Sequence, residues 1–278
     1  LGIKLGAFLG PLITGLLQTR LGFHYGFGAA AVGMALGLTQ YIVFRRNLGS
    51  YGRIVPNPLT RQAFWRAAVV AGLVFGSLGA GFMTGVLNLA TVSQVTTVLI
   101  VIASIGYFTV MLTSDRVNAV ERTRVRAFIP LFIANAVFWS LFQQIFTVLA
   151  VYSDERMNWS IFGWTAPSSW IGSIEPVWII LLSPVFAVIW TKLGRRAPTT
   201  PRKFAYGVIG MGLAFLLFLP MAGTTGRSVP VLAVLAIMSV FAVSELLLSP
   251  IGLSVTTQLA PNAFRAQMMA LYFFSGGL

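Results

Sequence analysis

VLAVLAIMSVFAVSELLLSPIGLS, residues 231–254, carries one charged side chain, Glu245, in an otherwise apolar run. A helix needs about 20 apolar residues to cross the hydrocarbon core of a bilayer. A barrel strand would cross in about ten residues of alternating character, and no alternation is present here. The stretch therefore reads as a membrane-spanning helix with a carboxylate inside it. A second run, SSWIGSIEPVWIILLSPVFAVIW at 168–190, places Glu175 in the same way, and GIKLGAFLGP at 2–11 places Lys4. A charge in mid-membrane costs roughly 2.5–3.5 kcal/mol on insertion scales, so such residues face a bundle interior, a partner or a water-filled path. The other acids, Asp115, Glu121, Asp154 and Glu155, fall in polar connections.

The rest of the chain repeats this pattern. Of 278 residues, 57% are hydrophobic and 9% charged, whereas a soluble domain has about 25% charged residues. Mean hydropathy is +0.85. Full spans are expected near 25–44, 67–88, 94–113, 127–152, 169–192, 204–222 and 229–256, with partial spans near 1–19 and from 266. The fold class is an all-α polytopic membrane protein. The chain begins and ends inside apolar runs, which reads as an internal piece of a longer protein.

The net charge of +13 invites a nucleic-acid reading, but its distribution points elsewhere. Arg45, Arg46, Arg53, Arg61 and Arg66 share one connection, Arg116, Arg122, Arg124 and Arg126 the next but one. Lys192, Arg195, Arg196, Arg202 and Lys203 share a third, and Arg265 lies in the last. The intervening connections hold only Arg20, Arg156 and Arg227. Lys and Arg concentrate on the cytoplasmic side of membrane proteins, so the basic connections are expected in the cytoplasm. The excess charge is read as a topology signal, with the bilayer and no nucleic acid as partner; a specific lipid or nucleic-acid patch is the alternative.

Enzyme signatures are missing. There is no HExxH, GxSxG or GxxxxGK[ST] pattern. The lone histidine, His24, sits in a short connection without neighbouring ligands, and the absence of cysteine removes disulfides and thiolate metal sites. The spacings Gly72–Gly76 and Gly81–Gly85 suggest close helix packing. Glu245 is followed by Pro250 and Gly252, and Pro permits a helix break of the kind that recurs at transporter ion sites. Glu175 is expected about two turns, on the order of 10 Å, into its helix. Trp170 and Trp178 flank it at four-residue spacing through Ile174, as an interfacial belt or a pocket stripe. Trp139 with Gln143 and Gln144 forms a third polar-aromatic patch.

SELLLSPIGLSVTTQLAP (244–261), PSSWIGSIEPVWIILLSPVFAVIWTKLG (167–194), PRKFAYG (201–207) and FWSLFQQ (138–144) together resemble the proton-dependent oligopeptide transporters of the major facilitator superfamily. LGAFLGPLITG (5–15) and GFHYGFGAAAVGM (22–34) resemble that family's fifth and sixth helices. The resemblance implies a partial major facilitator fold. In it, residues 1–44 end the N-terminal bundle, 45–126 form a basic linker with an extra helical hairpin, and 127–278 form the C-terminal bundle from helix seven into helix eleven. It implies proton-coupled uptake of di- and tripeptides by alternating access, no cofactor beyond the coupling protons, and a bacterial plasma membrane.

By the same resemblance, Glu245 binds the peptide amino terminus and takes part in proton coupling. In the family it also pairs with a lysine of helix four. Three positions depart from the common pattern: Lys4 and Glu175 stand where many members have Asn, and Gln143 where many have Glu in an FEQ motif. Since the usual asparagines line the peptide pocket from opposite sides, Lys4 and Glu175 are expected to face one cavity and titrate together with Glu245. The expected substrate-binding set is Glu245, Glu175, Lys4, Trp139, Gln143, Trp170 and Ser173, with Glu245 and Glu175 coupling protons. Transport of another small solute, such as an amino-acid derivative or nitrate, is the alternative, and a non-transporting receptor a more distant one.

Overall fold

The structure, a computed structural model, describes residues 2–49, 60–85, 88–161, 163–224 and 226–278. Arg53, Pro56 and Pro58, the middle of the expected basic linker, lie outside the described residues. In chain order the helices are α1 (Gly2–Leu21), α2 (Phe23–Phe44), α3 (Arg61–Met83), α4 (Leu89–Thr113), α5 (Ala119–Gln143), α6 (Val148–Arg156), α7 (Ile171–Leu193), α8 (Thr200–Leu216), α9 (Val231–Leu259) and α10 (Arg265–Gly277). Seven helical stretches among the described residues are long and apolar enough to cross a membrane, matching the seven full spans read from the sequence.

Helices α3 and α5 begin several residues before their apolar runs. Caps, not hydropathy, set these starts. The Thr60 hydroxyl accepts from the Ala63 amide at the head of α3. At α5, the Asn118 side chain accepts from the Glu121 amide at 2.8 Å while the Glu121 carboxylate accepts from the Asn118 amide at 3.2 Å. This reciprocal box satisfies two of the amides a helix start leaves free.

Two departures concern helix continuity. Pro250 does not break α9, which runs unbroken through it. The interruption falls instead after Gln143, where a stretch of turn joins α5 to α6, so the expected span 127–152 is two helices. Four two-residue strands decorate the connections: β1 (Met157–Asn158) pairs in parallel with β4 (Val229–Pro230), and β2 (Ser160–Ile161) pairs antiparallel with β3 (Trp164–Thr165).

The chain divides into two compact units. One comprises Leu1–Ala30 and Ile100–Leu278. Its core is formed by Phe138, Met211, Met238, Phe241 and Leu248 from α5, α8 and α9, and a second cluster joins Met111, Val125, Phe128, Met268 and Leu271. The other unit is Ala31–Leu99. Its helix α3 has no buried residue among those described, and Val69, Leu73 and Phe75 are exposed. Exposed apolar helices of this kind suit lipid, where tails are as apolar as the side chains.

Close approach between helices is found away from the expected glycine spacing. A Cβ at Gly72 or Gly76 would meet no heavy atom of the described residues within 4 Å, so among these no tight contact uses that pair. On α8, by contrast, a Cβ at Gly207 would come within 3.1 Å of the Ser244 carbonyl and of Leu248 Cβ. Gly207 thus lets the backbones of α8 and α9 meet beside Glu245.

Candidate functional site

Lys4 joins both intramembrane carboxylates. Its Nζ lies 3.2 Å from Glu175 Oε1 and 2.8 Å from each oxygen of Glu245. Three helices, α1, α7 and α9, meet at this point. Glu175 and Glu245 are 5% and 6% exposed, so each would be a costly isolated charge. A buried charge is tolerable only when paired and hydrogen-bonded, and Lys4 serves both acids. Among the described residues these are the only ion pairs.

Neighbouring contacts hold the three helices in register. The Ser173 hydroxyl donates to the Phe8 carbonyl at 2.8 Å, tying α7 to α1 one turn from Lys4. Gly15 faces Ser169 and Trp170, where any Cβ would collide. The Trp178 indole donates to the Leu235 carbonyl at 3.0 Å, tying α7 to α9. Helix α7 begins at Ile171 after a short 3-10 turn at Ser168–Trp170, so Glu175 sits about one turn into it rather than two.

The other expected site residues divide. Trp170 and Ser173 line an apolar cavity of about 280 Å³ together with Phe8, Leu12, Ile174 and Trp178. The tryptophan stripe thus faces a cavity, although the Ser173 hydroxyl is engaged by Phe8. The Trp170 indole nitrogen and the Ser169 hydroxyl are buried without a hydrogen-bond partner. Trp139 is half-buried against Phe138 and Phe142. Gln143 is exposed at the end of α5, its backbone carbonyl accepting from the Phe146 amide at 3.1 Å in the turn toward α6.

Two residues were passed over in the sequence. Asn135, one turn before Trp139 in α5, is buried and donates to Ser275 Oγ at 2.6 Å, while its Oδ1 has no partner. An amide inside LFIANAVF was the available signal. Tyr272 lies over Gly252, where an added Cβ would come within 2.8 Å of its ring. Gly252 is two turns along α9 from Glu245, and only its lack of a side chain hinted at a neighbour.

The family model described as "POT family" matches residues 1–278. The chain belongs to the POT family. Among relatives of this POT chain, the uncharacterized transporter YclF of Bacillus subtilis (strain 168) is 41% identical, over 99% of this chain and 56% of its own length. The di-/tripeptide transporter of Lactococcus lactis subsp. cremoris is 36% identical, over 99% of this chain and 58% of its own length. A crystal structure of a peptide transporter POT in complex with sulfate superposes with a TM-score of 0.91 at 43% identity, covering 99% of this chain and 57% of that one. A POT family transporter in complex with 5-aminolevulinic acid gives a TM-score of 0.88 at 36% identity, covering 99% and 58%. The chain therefore spans a little over half the length of the relatives it matches. These POT relatives are transporters rather than enzymes, and the chain is an integral membrane protein of their fold.

Proposed function

We propose that the chain supplies the helix-five-to-eleven portion of a secondary transporter that takes up di- and tripeptides with protons by alternating access. One observation carries this reading: an ammonium, that of Lys4, is already held 2.8 Å from both oxygens of Glu245. A peptide amino terminus presents the same group. With all three side chains ionised, the cluster of Lys4, Glu175 and Glu245 carries a net charge of −1, so a proton or an incoming ammonium completes its neutralisation. The two carboxylates give a proton and a peptide ammonium separate places in one cluster, Glu175 for the first and Glu245 for the second, so that both can be carried together as symport requires. Trp170 and the apolar cavity beside it accommodate a peptide side chain, and Trp139 and Gln143 are assigned to the substrate path outside that cavity.

The basic connections face the cytoplasm in this reading, α3 and α4 form the hairpin inserted between the two bundles, and the membrane is a bacterial plasma membrane. Because Gln143 carries no charge, any gate at this position is not a salt bridge, and the proton-linked role passes to Glu175 and Glu245. A second reading, an amino-acid derivative as substrate, is favoured by the 5-aminolevulinic acid held by a relative of the same fold. Uptake of radiolabelled dialanine into proteoliposomes bearing the complete transporter, driven by an inward proton gradient, tests the proposal. Competition by dipeptides but not by N-acetylated dipeptides supports it; gradient-driven uptake of 5-aminolevulinic acid with no dipeptide uptake would replace it with the second reading.

A further inference from the structure

The connections poor in basic residues enclose a second cavity. It measures about 370 Å³ and is lined by Asp154, Asn158, Ser160, Ser168 and Arg227, with Trp159 forming a wall shared with the apolar cavity beside Ser173. Volumes of roughly 300–1,000 Å³ are usual for small-molecule sites.

The frame of this cleft is hydrogen-bonded to itself. Met157 and Asn158 pair with Val229 and Pro230, and Ser160 pairs with Thr165. The Trp159 indole donates to both the carbonyl and the hydroxyl of Ser153 at 3.1 Å, and the Ser153 hydroxyl donates to the Ser168 carbonyl at 2.9 Å. The Arg156 guanidinium donates to the Thr224 carbonyl. Polar groups of the frame are thereby engaged with one another. The two charges that line the cleft are not paired with each other. Ser168 Oγ donates to Asp154 Oδ1 at 2.9 Å, which orients the carboxylate and leaves its second oxygen open. Arg227 is exposed, with no hydrogen bond or ion pair among the described residues. Opposite charges thus line one cleft within a hydrogen-bonded frame without forming an ion pair with each other.

We infer that this cleft is an outer capture site for a zwitterionic peptide, which sets its ammonium against Asp154 and its carboxylate against Arg227. The inference rests on the proposed function for the sidedness of this end and for peptide as the ligand. A guanidinium fork suits a carboxylate better than a point charge does. Both groups are exposed and screened by salt, so binding is weak and release toward the interior is easy. The shared Trp159 wall places the cleft next to the cavity that reaches Ser173 and Ile174, the residues preceding Glu175.

Residues 1–278 contain no cysteine, so a single introduced thiol reports on the cleft once any others in the complete transporter are changed to serine. Ser160→Cys is labelled from outside by a membrane-impermeant maleimide, in a Glu245→Gln background that removes the central amine site. Dialanine at about ten times its dissociation constant leaves about a tenth of the sites free, and labelling slows about tenfold. N-acetyl-dialanine amide, which lacks both charges, gives no protection, and adding Asp154→Asn or Arg227→Gln abolishes the protection by dialanine. Asn158→Cys serves as a second reporter. Unchanged labelling at both positions, or protection that survives both charge removals, overturns the inference. Protection in this background with no peptide transport by the wild-type transporter would defeat the proposed function and leave this site standing; peptide transport by the wild type without protection here would defeat this site alone.

Discussion

Lys4 Nζ and Glu175 Oε1 stand 3.2 Å apart across 171 residues of sequence. The same nitrogen is shared with Glu245, so neither carboxylate has the cation to itself. Removing one member of the cluster therefore has a different consequence for each member.

Lys4→Met leaves two buried carboxylates with no cation. Breaking a buried pair from one side costs roughly 3–5 kcal/mol, and the complete transporter in detergent is expected to lose that much stability near neutral pH. Adding both Glu175→Gln and Glu245→Gln to Lys4→Met should recover most of it, a coupling that a mutant cycle of unfolding midpoints measures.

Glu175→Gln alone leaves Lys4 paired with Glu245 and the cluster neutral. The fold is expected to persist with a small change in stability. Dialanine uptake should lose most of its response to an imposed pH gradient while downhill exchange continues. Uptake measured with and without the gradient separates the two.

Gly207→Val forces methyl groups against the Ser244 carbonyl and Leu248, where a bare Cβ already comes to 3.1 Å. Overpacking costs about 1–3 kcal/mol and displaces the α9 segment that carries Glu245. The thermal midpoint should fall and the affinity for dialanine should weaken together. Gly72→Ala, which meets no neighbour among the described residues, should leave both unchanged.

Glu121 holds two elements at once: its carboxylate accepts from the Asn118 amide at 3.2 Å and from the Asn262 amide at 3.1 Å. Glu121→Ala leaves two amides unbonded at one end of α5, a loss of roughly 1–3 kcal/mol. Hydrogen exchange at Asn262 should accelerate accordingly, with no change in dialanine affinity.

What could be read before the structure follows from how each feature is encoded. The spans were legible because hydropathy is summed over about twenty residues, and a misplaced side chain barely alters it. Lys4, Glu175 and Glu245 were legible because a charge in an apolar run has few tolerable surroundings. Their shared geometry was expected only from the resemblance, since 171 residues separate the first two. The interruption after Gln143 was missed because no Pro or Gly marks it, and Pro250 misled because a proline permits a break without requiring one. Asn135 and Tyr272 depend on partners from α10 and α9, which no local pattern announces. The outer cleft is assembled from connections whose pairing, Met157 with Val229, spans distant segments.

The most direct measurement is simultaneous recording of dialanine uptake and proton influx in proteoliposomes carrying the complete transporter with Glu245→Gln. Loss of gradient-driven uptake together with its proton influx is the predicted result. Retention of both at wild-type rates would show that coupled uptake does not run through Glu245.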